Sequence, residues 1–325
     1  MNRLLKLLAS LLLLTPASAQ QPEPYQPPRH ALEPPSLGAS RAEVAAAAEL
    51  GVQVERDRGP VHALTEHRRL AKALAGLQPQ RRGAVDAYVL SVALDSDPVF
   101  GREAREAGRV LSRRYRADGR TIVLAGSDGA RPSDLPMGSP QTLAAALARI
   151  AELMDPREDV LVLYVTTHGA PLGVAYHDAD QGYGLLGPAR LWRSLRELGI
   201  ERRLLLVSAC YSGVYVPMMM GTETAIVTAS AADRTSFGCQ ADSDWTFFGD
   251  ALINQALRKP QPLARAVGEA RGLIAGWERR GELEPSNPQA SIGPGAARWL
   301  AQLERDLPSG TSPVGRPAVT QLEGP

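Results

Sequence analysis

LLLVSACYSG, Leu204 to Gly213, runs from four apolar residues into a turn of small residues that carries Cys210. A short, continuous apolar run bounded by turn residues suits a strand buried on both faces, as in a parallel sheet. The turn then sets Cys210 just past the strand's carboxyl end. In open α/β sheets that edge gathers ligands and reactive side chains.

The flanking chain supplies the rest of such a sheet. Strands are expected over Asp86–Leu94 (DAYVLSVAL), Thr121–Ala125, Asp159–Thr166, Ala225–Ala229 and Ser286–Ile292. Helices are expected between them: from about Phe100 to Tyr115, from Ser139-Pro140 through Ile150 or Met154, over Pro188–Leu198, from Trp245 to Leu257 and over Pro262–Arg280. A last helix, from Ala296 to Leu307, closes the domain. Alternating strands and helices define an α/β domain with a mainly parallel sheet of about six strands and helices on both faces. Right-handed crossovers put the strand carboxyl ends on one edge. No glycine-rich phosphate loop is present; GSDG at Gly126–Gly129 lacks the spacing for one.

The ends of the chain read differently. Arg3 and Lys6 flank a leucine-rich run that ends at Leu14, and Ala17-Ser18-Ala19 follows as a small-x-small site. This is the layout of a secretory signal peptide over 1–19, cleaved after Ala19, and it predicts an exported protein, periplasmic or secreted. Residues 20–39 are rich in proline and polar residues and read as a disordered leader. Residues 40–80 read as a helical segment opened by a capping box at Ser40 and Glu43. The α/β domain then covers 81–307, and a glycine- and proline-rich tail over 308–325 reads as disordered. With a net charge of +1 over 325 residues, composition gives no pointer to nucleic acid or to an acidic substrate. The two cysteines, Cys210 and Cys239, leave open a disulfide or one reactive thiol beside a small buried one.

Chemistry concentrates at two of the strand ends. The strand Asp159–Thr166 delivers His168, and the strand Leu204–Ser208 delivers Cys210. The 42 positions separating them hold one loop and one crossover helix in this reading, which makes the two strands parallel and adjacent. A cysteine is a nucleophile as its thiolate, which a neighbouring imidazolium favours. The imidazole can then protonate a leaving amine. Gly169 lets the backbone approach a substrate closely, and its N–H with that of Cys210 would form an oxyanion hole. Ala209, Ser212 and Gly213 are expected to keep the space round the thiol open.

VLYVTTHG and LLLVSACYSG together resemble the legumain family of cysteine peptidases, which share the caspase fold. TASAADRTSFGC (Thr228–Cys239) and WTFFGD (Trp245–Asp250) also resemble the family, and the set is most similar to its bacterial secreted branch. The resemblance spans roughly Asp86 to Leu300. It implies a caspase-like three-layer sandwich and a His168–Cys210 dyad that cleaves peptide bonds after asparagine or aspartate through a thioester. No metal or organic cofactor is implied, and the partner is a peptide or protein substrate. Arg102 in PVFGREA, Ser236 and Asp250 match the pocket for the side chain before the scissile bond. A guanidinium beside a carboxylate offers a carboxamide both donor and acceptor.

Three departures stand out. Ser208 takes the place of an acid two residues before the cysteine, which leaves Arg102 less neutralised and favours aspartate. Tyr211 replaces an acid after the cysteine. Phe100 stands nearest the asparagine that orients the family's histidine, so Asp95, Asp97 or a backbone carbonyl is left for that task. His177 reads as a surface residue, and Met218-Met219-Met220 as a loop on the cleft or core filling. Two other readings accompany the peptidase: a non-catalytic binding domain of the same fold, and a transamidase using the same dyad.

Overall fold

The computed structural model describes residues 30–126 and 133–323. The expected signal peptide and part of the leader lie outside these residues, as does most of GSDG. In chain order the elements are α1 (Arg41–Leu50), β1 (Gln53–Glu55), α2 (Pro60–Ala75), β2 (Ala87–Ala93), α3 (Pro98–Arg114), β3 (Thr121–Leu124), α4 (Pro140–Leu153) and β4 (Val160–Thr166). Then come β5 (Gly169–Ala170), β6 (Gly173–Asp178), β7 (Gly182–Leu186), α5 (Pro188–Glu197), β8 (Arg203–Ser208), α6 (Val216–Met219) and β9 (Thr224–Thr228). A π-helix (Gly249–Ala256), α7 (Leu263–Arg280), β10 (Gln289–Ile292) and α8 (Pro294–Leu303) follow.

The main sheet has six strands in the order β10-β9-β8-β4-β2-β3, all parallel except β10, which runs antiparallel to β9 at one edge. Its central strands are buried on both faces, which explains their unbroken apolar sequence. Period-2 alternation divides them. Val89, Val162, Tyr164, Leu204, Leu206 and Val227 pack with α3, the π-helix, α7 and α8. Leu90, Leu161, Leu163, Leu205, Val207 and Ile226 pack with α4, α5 and α6. The result is a three-layer α/β sandwich. Truncating a central residue such as Leu206 to alanine removes contacts on a face with no solvent access, a loss of about 2–5 kcal/mol.

Four expectations are corrected. The stretch between His168 and Cys210 is more than one loop and a helix. It contains β5, β6 and β7, which with β1 make a four-stranded sheet in the order β1-β7-β6-β5. Short strands turning at Gly173 (φ 148°) and Ala179 (φ 48°) gave too little periodicity to separate from loop. Because β1 pairs antiparallel with β7, the segment 40–80 is tied into this sheet. The box at α1 is also shifted: Ser40 accepts from the Glu43 amide, but the Glu43 carboxylate accepts from Ala39 rather than Ser40.

The helix expected from Trp245 is mostly π, shown by the Leu257 amide donating to Leu252 O. Finally, the tail is not disordered over 308–323. Val314 O accepts from Trp245 Nε1 at 2.8 Å, Val314 N donates to Asn254 Oδ1 at 2.9 Å, and Ala318 N donates to Asp250 Oδ2 at 2.7 Å. Composition suggested a free tail, but buried polar groups on the π-helix and the residues before it need partners, and the tail backbone supplies them.

Candidate active site

Strand register brings the two reactive residues together. β4 and β8 pair in parallel from Leu161 opposite Arg203 to Thr166 opposite Ser208. His168 and Cys210 each lie two residues beyond that last pair, at the same height on the carboxyl edge. The backbone after Cys210 turns sharply, with Tyr211 in the left-handed region at φ 56°. The Tyr211 amide holds that turn by donating to Arg234 O at 2.8 Å. Ala209, Ser212 and Gly213 do not open the space round the thiol. They are buried against the loop after β9, where a Cβ on Gly213 would collide with the backbone of Ala231 and Ala232.

Gly169 is required for a similar reason: a Cβ there would run into the carbonyl of Cys210. Its amide points away from β6 by the alternation of an antiparallel ladder. Ala175 N donates to His168 O, so the next pair, Gly169 opposite Val174, exchanges no hydrogen bonds. Val174 N accordingly donates to Tyr215 Oη. Among the described residues the Cys210 amide donates to no protein acceptor. Two backbone donors are therefore free at the strand ends.

His168 is held by Asp97. Its Nε2 lies 3.3 Å from Asp97 Oδ2, and its ring meets Phe100 edge-on at 5.0 Å. Asp97 precedes Pro98 at the start of α3 but makes no side-chain cap, so its carboxylate is turned to the imidazole instead. Burial works to lower the His168 pKa. The hydrogen bond to Asp97 and the charges of Asp95, Asp97 and Cys210 outweigh it, so the imidazolium is favoured. Burial likewise works to raise Asp97, and the hydrogen bond to His168 with the neighbouring imidazoles holds it below the usual carboxylate range.

Cys210 Sγ accepts from the Ser236 amide at 3.3 Å and lies 3.8 Å from Ser236 Oγ. Its pKa is pushed down to about 6. The largest cause is a hydrogen bond from the Cys239 thiol; burial opposes it, and Ser236 and the charge on His168 add to it. The same contact, with burial, pushes Cys239 up. Both cysteines are free, so no disulfide joins them. His168 and Cys210, at the ends of adjacent strands, thus each favour the charged form of the other.

The four residues expected to line a substrate pocket separate into two pairs. Ser236 is beside the thiol. Arg102 is on α3 and reaches the loop after Cys239, donating from Nη2 to Ala241 O at 2.6 Å and from Nε to Ser243 O at 3.1 Å, with Asp244 Oδ1 at 3.6 Å. Ser208 is buried, 3.1 Å from Thr246 Oγ1. Asp250 is fully buried and accepts from Asn254 Nδ2 and Ala318 N, facing the C-terminal segment. Both are thereby committed inside the fold.

Two neighbours of the site carried no functional reading in the sequence. Glu103 is fully buried and accepts from Tyr164 Oη at 2.5 Å, Thr166 Oγ1 at 2.7 Å and the Thr246 amide at 2.8 Å, pinning α3 to β4 and to the loop before the π-helix. Only its place one residue after Arg102, on the inner side of α3, could have flagged it. Cys239 is left by the sequence as either a disulfide partner of Cys210 or a small buried residue, and no local pattern announces its influence on the Cys210 thiol.

With this geometry in place, the comparisons with known proteins can be read. Residues 141–269 match the Peptidase C13 family, the legumain family. The matched stretch carries both strand ends, with His168 and Cys210. It is shorter at both ends than the expected resemblance. Among solved structures, the crystal structure of Caspase-1 from Spodoptera frugiperda is similar at 15% identity over 66% of this chain and 92% of that one, with a TM-score of 0.42. The sequence matches no curated protein.

Proposed function

We propose that the chain is a cysteine endopeptidase that cleaves peptide bonds after aspartate or asparagine, with Cys210 as nucleophile and His168 as general acid and base. The observation that carries this reading is the β4–β8 register, which sets His168 and Cys210 at one height on the sheet's carboxyl edge. The Cys210 thiolate attacks the scissile carbonyl, and the amides of Gly169 and Cys210 receive the developing oxyanion. His168, oriented by Asp97, protonates the departing amine. It then takes a proton from the water that hydrolyses the thioester. The aspartate or asparagine preference rests on Arg102 with Asp244 and on Ser236, a guanidinium balanced by a carboxylate and a hydroxyl. Since Ser208 brings no charge to the strand end, aspartate is favoured over asparagine.

Fluorogenic peptides that differ only in the residue before the scissile bond test this. Turnover is expected with aspartate and asparagine and is expected to vanish in Cys210→Ala and His168→Ala. Preference for lysine or arginine would overturn the pocket reading. A titratable Cys210 thiol that neither turns over any peptide nor reacts with an acylating aspartyl or asparaginyl probe would overturn the peptidase itself. Transfer to an added amine in preference to water would identify a transamidase.

A further inference from the structure

A second cluster of polar groups lies beside the dyad and is not used by it. Asp95 lies two residues past β2, His177 comes from β6, and His30 comes from the segment before α1. One ligand atom of each lies within 4.8 Å of the other two. The small sheet is seated there by backbone bonds: His177 N donates to Leu94 O and Ser96 N to His177 O. The Asp95 side chain is fully buried. Its Oδ1 accepts from the Asp97 amide at 2.8 Å, while its Oδ2 has no hydrogen-bond partner. His177 Nε2 is also buried without a partner. A fully buried carboxylate oxygen left unpaired is costly unless something binds it.

The spacings point to what that is. His30 Nε2 is 3.5 Å from Asp95 Oδ1, and His177 Nδ1 is 3.8 Å from Asp95 Oδ2. These are long for hydrogen bonds. Two donors bound at about 2.0–2.1 Å to a tetrahedral ion stand roughly 3.3–3.4 Å apart, so small side-chain shifts would bring them onto one centre. The two imidazoles stack with centroids 3.6 Å apart, so a rotation of one ring about its side-chain bonds accompanies their convergence on one ion. Two imidazoles and one carboxylate select zinc-like ions over calcium or magnesium, which prefer oxygen ligands alone.

We propose that His30, Asp95 and His177 form a site for one divalent transition-metal ion, zinc by preference, that staples the segment before α1 to the edge of the sheet beside His168. That segment is already positioned there, because Asp180 Oδ1 accepts from the Ala31 and Leu32 amides at 2.9 and 2.8 Å. Asp97 connects the two centres: Oδ1 is 3.4 Å from His30 Nδ1, and Oδ2 is 3.3 Å from His168 Nε2. The site is independent of whether the dyad cleaves peptides.

The test uses the full chain with Cys210→Ala and Cys239→Ala, so that thiols bind no metal. After chelator treatment the protein is titrated with cobalt(II), followed by its visible bands, and with zinc(II), followed by calorimetry and melting temperature. One ion per chain is expected, with a zinc-dependent rise in melting temperature. His30→Ala and His177→Ala should each weaken binding by about 100-fold or more and abolish that rise. His62→Ala should change neither. His30 is on a peripheral segment, so its variant folds even if changes at Asp95 do not. Failure to bind cobalt or zinc at micromolar concentration would overturn the proposal. So would binding that survives both His30→Ala and His177→Ala, or that falls equally in His62→Ala.

Discussion

The ionisation of Cys210 is set chiefly by a neighbour that never touches substrate in the proposed mechanism, and removing that neighbour gives a direct test. Hydrogen bonding by the Cys239 thiol is the largest influence lowering the Cys210 pKa, which falls to about 6. A hydrogen bond to a charged group contributes about 1.5–3 kcal/mol, and 1.36 kcal/mol corresponds to one pKa unit. Cys239→Ala should therefore move the Cys210 titration from about 6 to roughly 7–8. Cys239→Ser keeps a donor and should hold it near the wild-type value. The thiolate is the reactive form, so activity falls as pH drops through this pKa, and the acid limb of the alanine variant should lie at higher pH. The rate of iodoacetamide alkylation at Cys210 against pH, in all three proteins, reads the shift without a substrate. Cys239 itself is pushed up and stays unreactive over the range. The linkage has a matching sign. Stability drawn from the depressed pKa is complete above about 8.5, the free-thiol value, and is lost as pH falls through about 6. An alanine variant that still titrates near 6 would refute the assignment of the Cys239 contact as the controlling one.

Three further outcomes follow from contacts at the site. Asp97→Ala removes the partner of His168 Nε2, and kcat on an aspartyl peptide should fall about 10- to 100-fold with little change in KM, measured by steady-state kinetics. Gly169→Ala forces a Cβ into the Cys210 carbonyl; it should lose activity and destabilise the fold by about 1–3 kcal/mol or more, read by denaturant unfolding. Asp250→Ala leaves one Asn254 side-chain N–H and the Ala318 N–H without their acceptor, while Asn254 Nδ2 keeps Val314 O. It should cost about 1–3 kcal/mol for each and lower the melting temperature by several degrees, while the ratio of aspartyl to asparaginyl cleavage stays as in the wild type.

The sequence made the centre of the fold legible because that centre is buried on both sides. Strands such as DAYVLSVAL and LLLVS read as unbroken apolar runs, and their order and spacing implied parallel neighbours. The reactive pair followed, since His168 and Cys210 are fixed by where those runs end. What lay beyond reach was everything set by side chains meeting across the chain. Asp97 could not be chosen over Asp95 because both occupy one turn, and only the folded direction of each carboxylate separates them. Asp250 matches a pocket acid through the resemblance to legumains, yet the segment returning from the C-terminus buries it. The small sheet that carries His177 was hidden because its short strands, interrupted by glycines, resemble loop.

The substitution at Ser208 acquires a cause from this arrangement. The resemblance to legumains leads one to expect an acid here, and its loss looked like a change in the pocket alone. In the fold, Ser208 Oγ meets Thr246 Oγ1 at 3.1 Å, and the amide of the same Thr246 donates to Glu103. Glu103 also takes the hydroxyls of Tyr164 and Thr166, all under the ends of β4 and β8 and away from water. An aspartate at position 208 would place a second carboxylate in this buried network beside the first. Like charges in such surroundings cannot both ionise without a strong rise in one pKa. A serine accepts or donates to Thr246 with no charge, so the neutral residue is the one compatible with Glu103.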